Sequence, residues 1–347
     1  PVHFGIVSTS YPRFDGDPAG SFVHGLNRYL GRRGHRVSVV CAGDSESAVF
    51  EWLDGIAVHR LPSGLFYQGG APDALAQGLW QQPLLTLSRA TQFSRELLRL
   101  SAERLSGCDV LISHWLLPCS LLGCLVQRGR PHVAIAHSSD VHLLRRLGLT
   151  RLGRWMAKRA DLVYTASHLE LPGAPGRVVP MGIERADFAC ADGDRLAARQ
   201  KLGLDRPTLL FLGRLVPVKG LEVLLAALSL LRHRDVELVV AGDGPLRTLL
   251  ESQVQEQKLP VRLVGEVGGR SKLDWLAAAD LMVLPSLQLA DGRTEGAPVV
   301  IWEALAAGLP IVASDVGATR TQLGGIGLTV PPGDAHALAA AIDRLLE

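Results

Sequence analysis

Short runs of β-branched and aliphatic residues alternate with longer segments of helical periodicity along all 347 residues. In the first half, continuous apolar runs predict strands over residues 2–8, 36–42, 56–61, 110–114, 132–137 and 162–166. The spacing between them predicts helices over 21–31, 84–105, 118–128 and 150–160. The second half repeats the alternation. Its predicted strands are 208–212, 237–241, 261–264, 281–285, 311–314 and 327–330, and its predicted helices 220–232, 245–256, 272–279, 297–307 and 334–346. Short apolar strands that each lead into a helix imply parallel sheets covered on both faces. The pattern breaks in residues 181–206, where Gly, Pro and mixed charge surround a short helical stretch. The fold class expected is therefore α/β, with two Rossmann-like, doubly wound domains, residues 1–182 and 183–347, facing across a cleft. Ligands of such sheets bind at the carboxyl ends of the strands.

Composition narrows the class of protein. Hydrophobic residues make up 47% and charged residues 20%, which excludes a disordered chain. Five cysteines with no C-x-x-C pair exclude a disulfide scaffold and a structural zinc site, and fit free thiols in a reducing, cytoplasmic setting. No run approaches the ~20 apolar residues of a membrane span. The chain opens directly on a strand-like run, so no leader is expected.

The net charge of +2 hides an asymmetry. Residues 1–180 carry a net +6 (19 Lys and Arg against 13 Asp and Glu), and residues 181–347 a net −4 (17 against 21). No nucleic-acid-binding motif accompanies the basic half, so nucleic acid is not an expected partner. Ordinary surface charge explains the asymmetry, and so does attraction to an anionic acceptor or membrane face. Residues 145–159 sharpen the question. They hold Arg145, Arg146, Arg151, Arg154, Lys158 and Arg159 with no acid, interleaved with Leu147, Leu149, Leu152, Trp155 and Met156. Two readings stand: a basic amphipathic segment lying in an anionic membrane interface, or a solvated helix whose apolar side faces the core.

The chemistry concentrates in residues 291–310. Glu295 falls at a loop-to-helix junction, Pro298 suits the first helical turn, and Glu303 follows eight residues after Glu295. That spacing is a little over two turns and puts both carboxylates roughly on one side. The helix N-terminus beside Gly296 and Ala297 offers N–H groups and a positive dipole end to a diphosphate. Arg214 and Lys219 follow a buried strand and can neutralise such a group. Gly242 and Gly244 serve either tight turns or close backbone approach. No G-x-G-x-x-G is present, which argues against a nicotinamide dehydrogenase.

In combination these stretches resemble the E-x7-E signature of retaining glycosyltransferases of family 4, which have the GT-B fold. Gly213-Arg214 with Lys219-Gly220, then Gly242-Asp-Gly-Pro245, Val264-Gly-Glu-Val267 and Leu284-Pro-Ser286, are similar to further family segments in the expected order. In the first half, Asp17-Pro-Ala-Gly20-Ser21-Phe22 resembles the Gly-rich acceptor loop and Gly34-His-Arg-Val37 a following turn. His137-Ser-Ser-Asp140 resembles the loop facing the donor sugar, with Ser138 in place of Gly, and Met181-Gly-Ile-Glu184 the hinge, with Met in place of Asn. His114-Trp115 ends a strand at the same rim, where it either touches acceptor or sugar or simply packs. The family's closing helices cross back onto the first domain, and here that crossover is expected to be short or missing.

The resemblance implies a hexosyltransferase that uses a UDP- or GDP-sugar as substrate, with no cofactor and no obligatory metal. Its donor would contact Gly213, Arg214, Lys219, Gly242, Val267, Glu295, Gly296, Ala297 and Glu303, with Glu295, His137, Arg214 and Lys219 in catalytic roles. Its glycan or lipid-linked acceptor would meet Gly20, Ser21, Asp140 and His114. The enzyme would be cytoplasmic, or peripheral at the inner membrane face. A nucleotide-sugar epimerase or hydrolase of the same fold, and a non-catalytic binding module, remain open alternatives at this stage.

Overall fold

A computed structural model describes residues 1–62, 81–190 and 192–347. The chain divides into two compact units, Pro1–Met181 and Gly182–Glu347.

The first unit runs β1 (His3–Ser8), α1 (Ser21–Arg32), β2 (Arg36–Gly43), β3 (Phe50–Leu53), β4 (Ile56–Pro62), α2 (Pro83–Arg104), β5 (Val110–His114), α3 (Leu121–Val126), β6 (His132–Ala136), α4 (Ser138–Arg146), α5 (Thr150–Ala157), β7 (Asp161–Tyr164) and β8 (Arg177–Val178). These strands form one sheet in the order β3-β4-β2-β1-β5-β6-β7-β8. The chain winds outward from β1 in one direction and then, at β5, in the other. The strand order therefore reverses between β1 and β5. The sheet is not wholly parallel as expected, because β3 pairs antiparallel to β4. Asp54 and Gly55, both at positive φ, make the two-residue turn between them, a geometry that suits the twist of paired strands.

The second unit runs α6 (Asp192–Leu202), β9 (Thr208–Leu212), α7 (Leu221–Leu230), β10 (Glu237–Ala241), α8 (Arg247–Gln257), β11 (Val261–Gly265), α9 (Gly269–Ala278), β12 (Leu281–Leu284), α10 (Val299–Ala306), β13 (Ile311–Ser314), α11 (Thr319–Leu323), β14 (Leu328–Val330) and α12 (Ala335–Leu346). Its sheet is parallel throughout, in the order β11-β10-β9-β12-β13-β14, with its reversal between β9 and β12. Side-chain alternation builds a core on each face. Leu209, Phe211, Leu238, Val240, Leu281 and Val283 point to one side, under α7 and α12. Leu210, Leu212, Val239, Ala241, Met282 and Leu284 point to the other, under α9 and α10. This two-sided burial is why the strands read as unbroken apolar runs.

Three expectations need correction. Residues 145–159 are not one amphipathic segment. They hold the end of α4, a turn in which Gly148 takes a positive φ, and then α5. The helix expected from residue 118 begins at Leu121, after an irregular turn over Leu116–Ser120. Pro298 stands just before α10, at its N-cap, so Glu295 belongs to the preceding loop and shares no helix face with Glu303.

Candidate active site

In the second unit, four loops meet at the carboxyl ends of neighbouring strands. Beyond β9 and β10 the backbones keep pairing: Gly213 N–H donates to Ala241 O at 3.0 Å and Leu215 N–H to Asp243 O at 2.9 Å. Gly242 N–H reaches Gly265 O, beyond β11, at 2.7 Å. This pairing leaves no room for side chains. A Cβ on Gly242 would stand 1.8 Å from Gly213 O. On the other flank Leu287 N–H donates to Val218 O at 2.8 Å, and a Cβ on Gly220 would stand 2.0 Å from Pro285 O. The loop after β9 is thus wedged between its neighbours, and it carries Arg214 and Lys219.

The wedge aims Lys219 at the loop after β12. Its Nζ lies 2.5 Å from Glu295 Oε1, and Ser286 Oγ donates to the same oxygen at 3.1 Å. Both side chains of the pair are mostly buried. Gly317 lets the backbone at Glu295 and Gly296 come close, since a Cβ there would meet Glu295 O at 2.3 Å. Gly296 O accepts from Ala318 N–H at 2.9 Å, which anchors the segment leading to α10. Glu303, on α10, is 6% exposed and pairs with Lys272 Nζ of α9 at 2.7 Å. That ammonium also lies 5.3 Å over the Phe188 ring. Val267 packs partly buried just before α9. Lys272 was missed at the sequence level, where it is one cation in an ordinary helix. Only the register of α9 against α10 reveals its partner.

In the first unit the loops after β1, β5 and β6 converge. Gly20 caps α1 at φ 64°, and a Cβ there would strike Ser10 O at 2.3 Å. Ser21 opens α1 beside it, half-buried. His114 and Asp140, expected at the acceptor, are both buried. His114 is fully buried, and its ring stacks on His137 with centroids 5.4 Å apart. Its Nδ1 lies 3.2 Å from His137 Nε2. Asp140 is 3% exposed, and its carboxylate accepts from Leu116 N–H at 2.6 Å, His137 N–H at 3.3 Å and Val141 N–H at 2.9 Å. It ties the β5 loop to the β6 loop.

Burial governs the protonation of this cluster. It pushes the Asp140 carboxyl up to about 7, against the pull of its N–H donors. It drives His114 down to about 3, and His137 well below the ordinary imidazole range with His114 adding to the effect. Burial therefore favours the neutral form of His137. In that form it can make hydrogen bonds.

Two Asp-x-Asp triplets occur, at residues 15–17 and 192–194. In the first, the Asp17 carboxylate is held by Arg13 Nε at 2.7 Å and Ala19 N–H at 3.0 Å. Among the described residues no three His, Cys, Asp or Glu come together as a metal-binding group, and no helix is long and apolar enough to cross a membrane.

Two α/β units, each with a mostly parallel sheet and one reversal of strand order, are the architecture of the GT-B class of glycosyltransferases. Comparison with known proteins carries this to a family. The model of "Glycosyl transferases group 1" matches residues 206–347, and that of "Glycosyltransferase Family 4" residues 19–171. A putative teichuronic acid biosynthesis glycosyltransferase of Bacillus subtilis, TuaC, is 30% identical over 308 residues, covering 85% of this chain and 72% of that one. A GDP-mannose-dependent phosphatidylinositol monomannoside mannosyltransferase of Mycolicibacterium smegmatis is 33% identical over 251 residues, covering 66% and 65%. Among solved structures, Anabaena HepE in complex with UDP-glucose superposes with a TM-score of 0.71 at 20% identity, covering 100% of this chain and 90% of that one. The chain belongs to glycosyltransferase family 4.

Proposed function

We propose that this enzyme transfers a hexose from a UDP- or GDP-sugar to a glycan or lipid-linked acceptor, with retention of anomeric configuration and without a divalent metal. One observation carries the reading. A cation and a carboxylate, Lys219 and Glu295, are held 2.5 Å apart by wedged loops at the strand-order reversal of the second sheet. A nucleotide sugar needs both charges in one place. Its diphosphate takes Lys219, Arg214 and the N–H groups near Gly296 and Ala297. Its sugar hydroxyls donate to Glu295. Glu303, oriented by Lys272, accepts from the ribose, and the backbone near Val267 flanks the base. Gly213 and Gly242 allow the loops to close on the pyrophosphate without side chains in the way.

In the reaction the bond from the anomeric carbon to the diphosphate oxygen breaks, and the acceptor oxygen bonds to the same face. The acceptor's proton passes to the departing phosphate oxygen. Arg214 and Lys219 stabilise the charge that grows on that group, which is the part a metal plays in other transferases. Glu295 supports the positive charge that develops near the anomeric carbon. Neutral His137 contributes a hydrogen bond to the sugar. The acceptor meets the loop that ends at Gly20 and Ser21. The relatives' names support both a GDP- and a UDP-linked donor, and a lipid acceptor. The enzyme would act in the cytoplasm, and the basic residues of α5 would draw it to an anionic inner membrane face.

The test is release of nucleoside diphosphate from a panel of UDP- and GDP-sugars in EDTA, with and without a bacterial lipid extract. Release that needs one donor and the extract is expected. Glu295→Ala and Lys219→Ala should each cut it about a hundredfold or more, the scale of a lost transition-state contact. Near-wild-type rates in both variants would overturn the assignment. Release that ignores every acceptor would make the protein a hydrolase.

A further inference from the structure

The reversal of strand order in the first sheet carries two aromatic residues, beside His137, that the reaction above does not use. Phe22, in the first turn of α1, and Trp115, the first residue after β5, flank the crevice where such sheets bind ligands. Their ring centroids lie 6.0 Å apart, and the His137 ring sits 4.7 Å from Trp115 and 5.3 Å from Phe22. Both aromatic side chains are half-buried, so each keeps some surface toward solvent.

Trp115 is held in an unusual backbone conformation, φ 68° and ψ 125°. A bulky residue at positive φ is a steric outlier. Such strain persists only where the surroundings over-determine it, and it gathers at ligand sites. Here they do. Trp115 N–H donates to Ile135 O at 3.0 Å, and Trp115 O accepts from Ser120 N–H at 3.0 Å and Ser120 Oγ at 3.2 Å. The next residue, Leu116, gives its N–H to buried Asp140 at 2.6 Å.

We propose that Trp115 is a stacking plate for a pyranose ring of the acceptor, with Phe22, tilted 59° to it, as a side wall. A pyranose has one face of C–H groups and a rim of hydroxyls. The C–H face suits the electron-rich face of an indole, and the hydroxyl rim stays toward solvent. The acceptor end that receives the new sugar is thus a carbohydrate ring rather than a bare lipid phosphate. This deepens the transferase reading and rests on it.

The discriminating variant is Trp115→Gly, because glycine accepts positive φ without strain and offsets the lost packing. It should raise the acceptor KM about tenfold, the scale of one interface anchor, with the donor KM unmoved and the thermal midpoint little changed. Trp115→Phe should restore most of the acceptor affinity, and Phe22→Ala should show a smaller rise. An unmoved acceptor KM in Trp115→Gly would overturn the plate. So would a large fall in midpoint with both KM values rising together, which would mark a packing residue. Saturation-transfer NMR with methyl glycosides of glucose, galactose, mannose and N-acetylglucosamine needs no turnover. Saturation of at least one glycoside's ring C–H protons by the wild type, lost in Trp115→Gly, supports the plate. Equal saturation by both proteins, or none by the wild type, rejects it. Absence of transfer from every donor would instead reject the transferase reading, and the glycoside experiment would still decide the plate.

Discussion

A buried imidazole that stays neutral has a hydrogen bond to offer but no proton to give. His137→Gln, which keeps a polar group at the position, should therefore retain much more activity than His137→Ala, expected about tenfold or more below wild type. Equal losses in both would return a proton-transfer role to His137. The same burial makes a stability prediction. Unfolded histidines take a proton near 6.5, whereas His114 holds out to about 3 and His132 to about 4. Acidification from pH 7 toward 5 therefore favours the unfolded chain at both sites, and at His137 too. Asp140 works the other way, because folded it takes a proton near 7 and unfolded only near 3.8. Three imidazoles should outweigh one carboxyl, and the thermal midpoint should fall over this range. A midpoint that rises would show Asp140 in control. At this scale the sequence was informative where chemistry is local: Glu295 and Lys219 announce themselves through the glycines and prolines around them. It did not show that His114 and Asp140 are buried, since strand-end polar residues look alike whether they face solvent or a neighbouring loop. It also gave no sign that Lys272 meets Glu303.

At the scale of elements, the loop after β9 depends on a missing side chain. Gly220→Ala would set a methyl group 2.0 Å from Pro285 O and at positive φ, so the loop must move off β12 and carry Lys219 away from Glu295. Donor KM should rise and the thermal midpoint fall, as measured by kinetics and differential scanning fluorimetry. A variant with normal donor affinity would show that the wedge does not aim Lys219. Most strands were legible from their apolar runs because both faces of each sheet are covered. The β3–β4 hairpin was legible too and went unread, although Asp54-Gly55 between apolar runs is a strong hairpin signal. Helix α4 was hidden because Ser138-Ser139-Asp140 suits a loop as well as a helix start. The basic stretch misled for a different reason. Periodicity carries across Gly148, while the backbone does not.

For the whole molecule, charge is the property that sequence reports directly. The first unit holds α5, whose Arg151 is exposed and whose Trp155 lies under the Arg159 guanidinium at 4.1 Å. Exposed Leu147 and Leu149 precede it in the turn. Sedimentation with vesicles containing anionic lipid should pellet the protein at low salt, and progressively less as salt rises. Arg151→Glu with Lys158→Glu should abolish the effect while leaving donor affinity intact. Binding to neutral vesicles of equal strength would reject the electrostatic reading.

Both sheets repeat one winding scheme, outward from a central strand and then back past it. Each unit therefore makes its own crevice from its own loops, and neither borrows a strand from the other. The hydrogen bonds that fix Lys219 and Glu295 come from within the second unit, and those that fix Asp140 from within the first. On the proposed reading, what the enzyme decorates and what it decorates with can drift apart over generations. A graft of one unit from a relative with a different acceptor is accordingly the shortest route to an altered product.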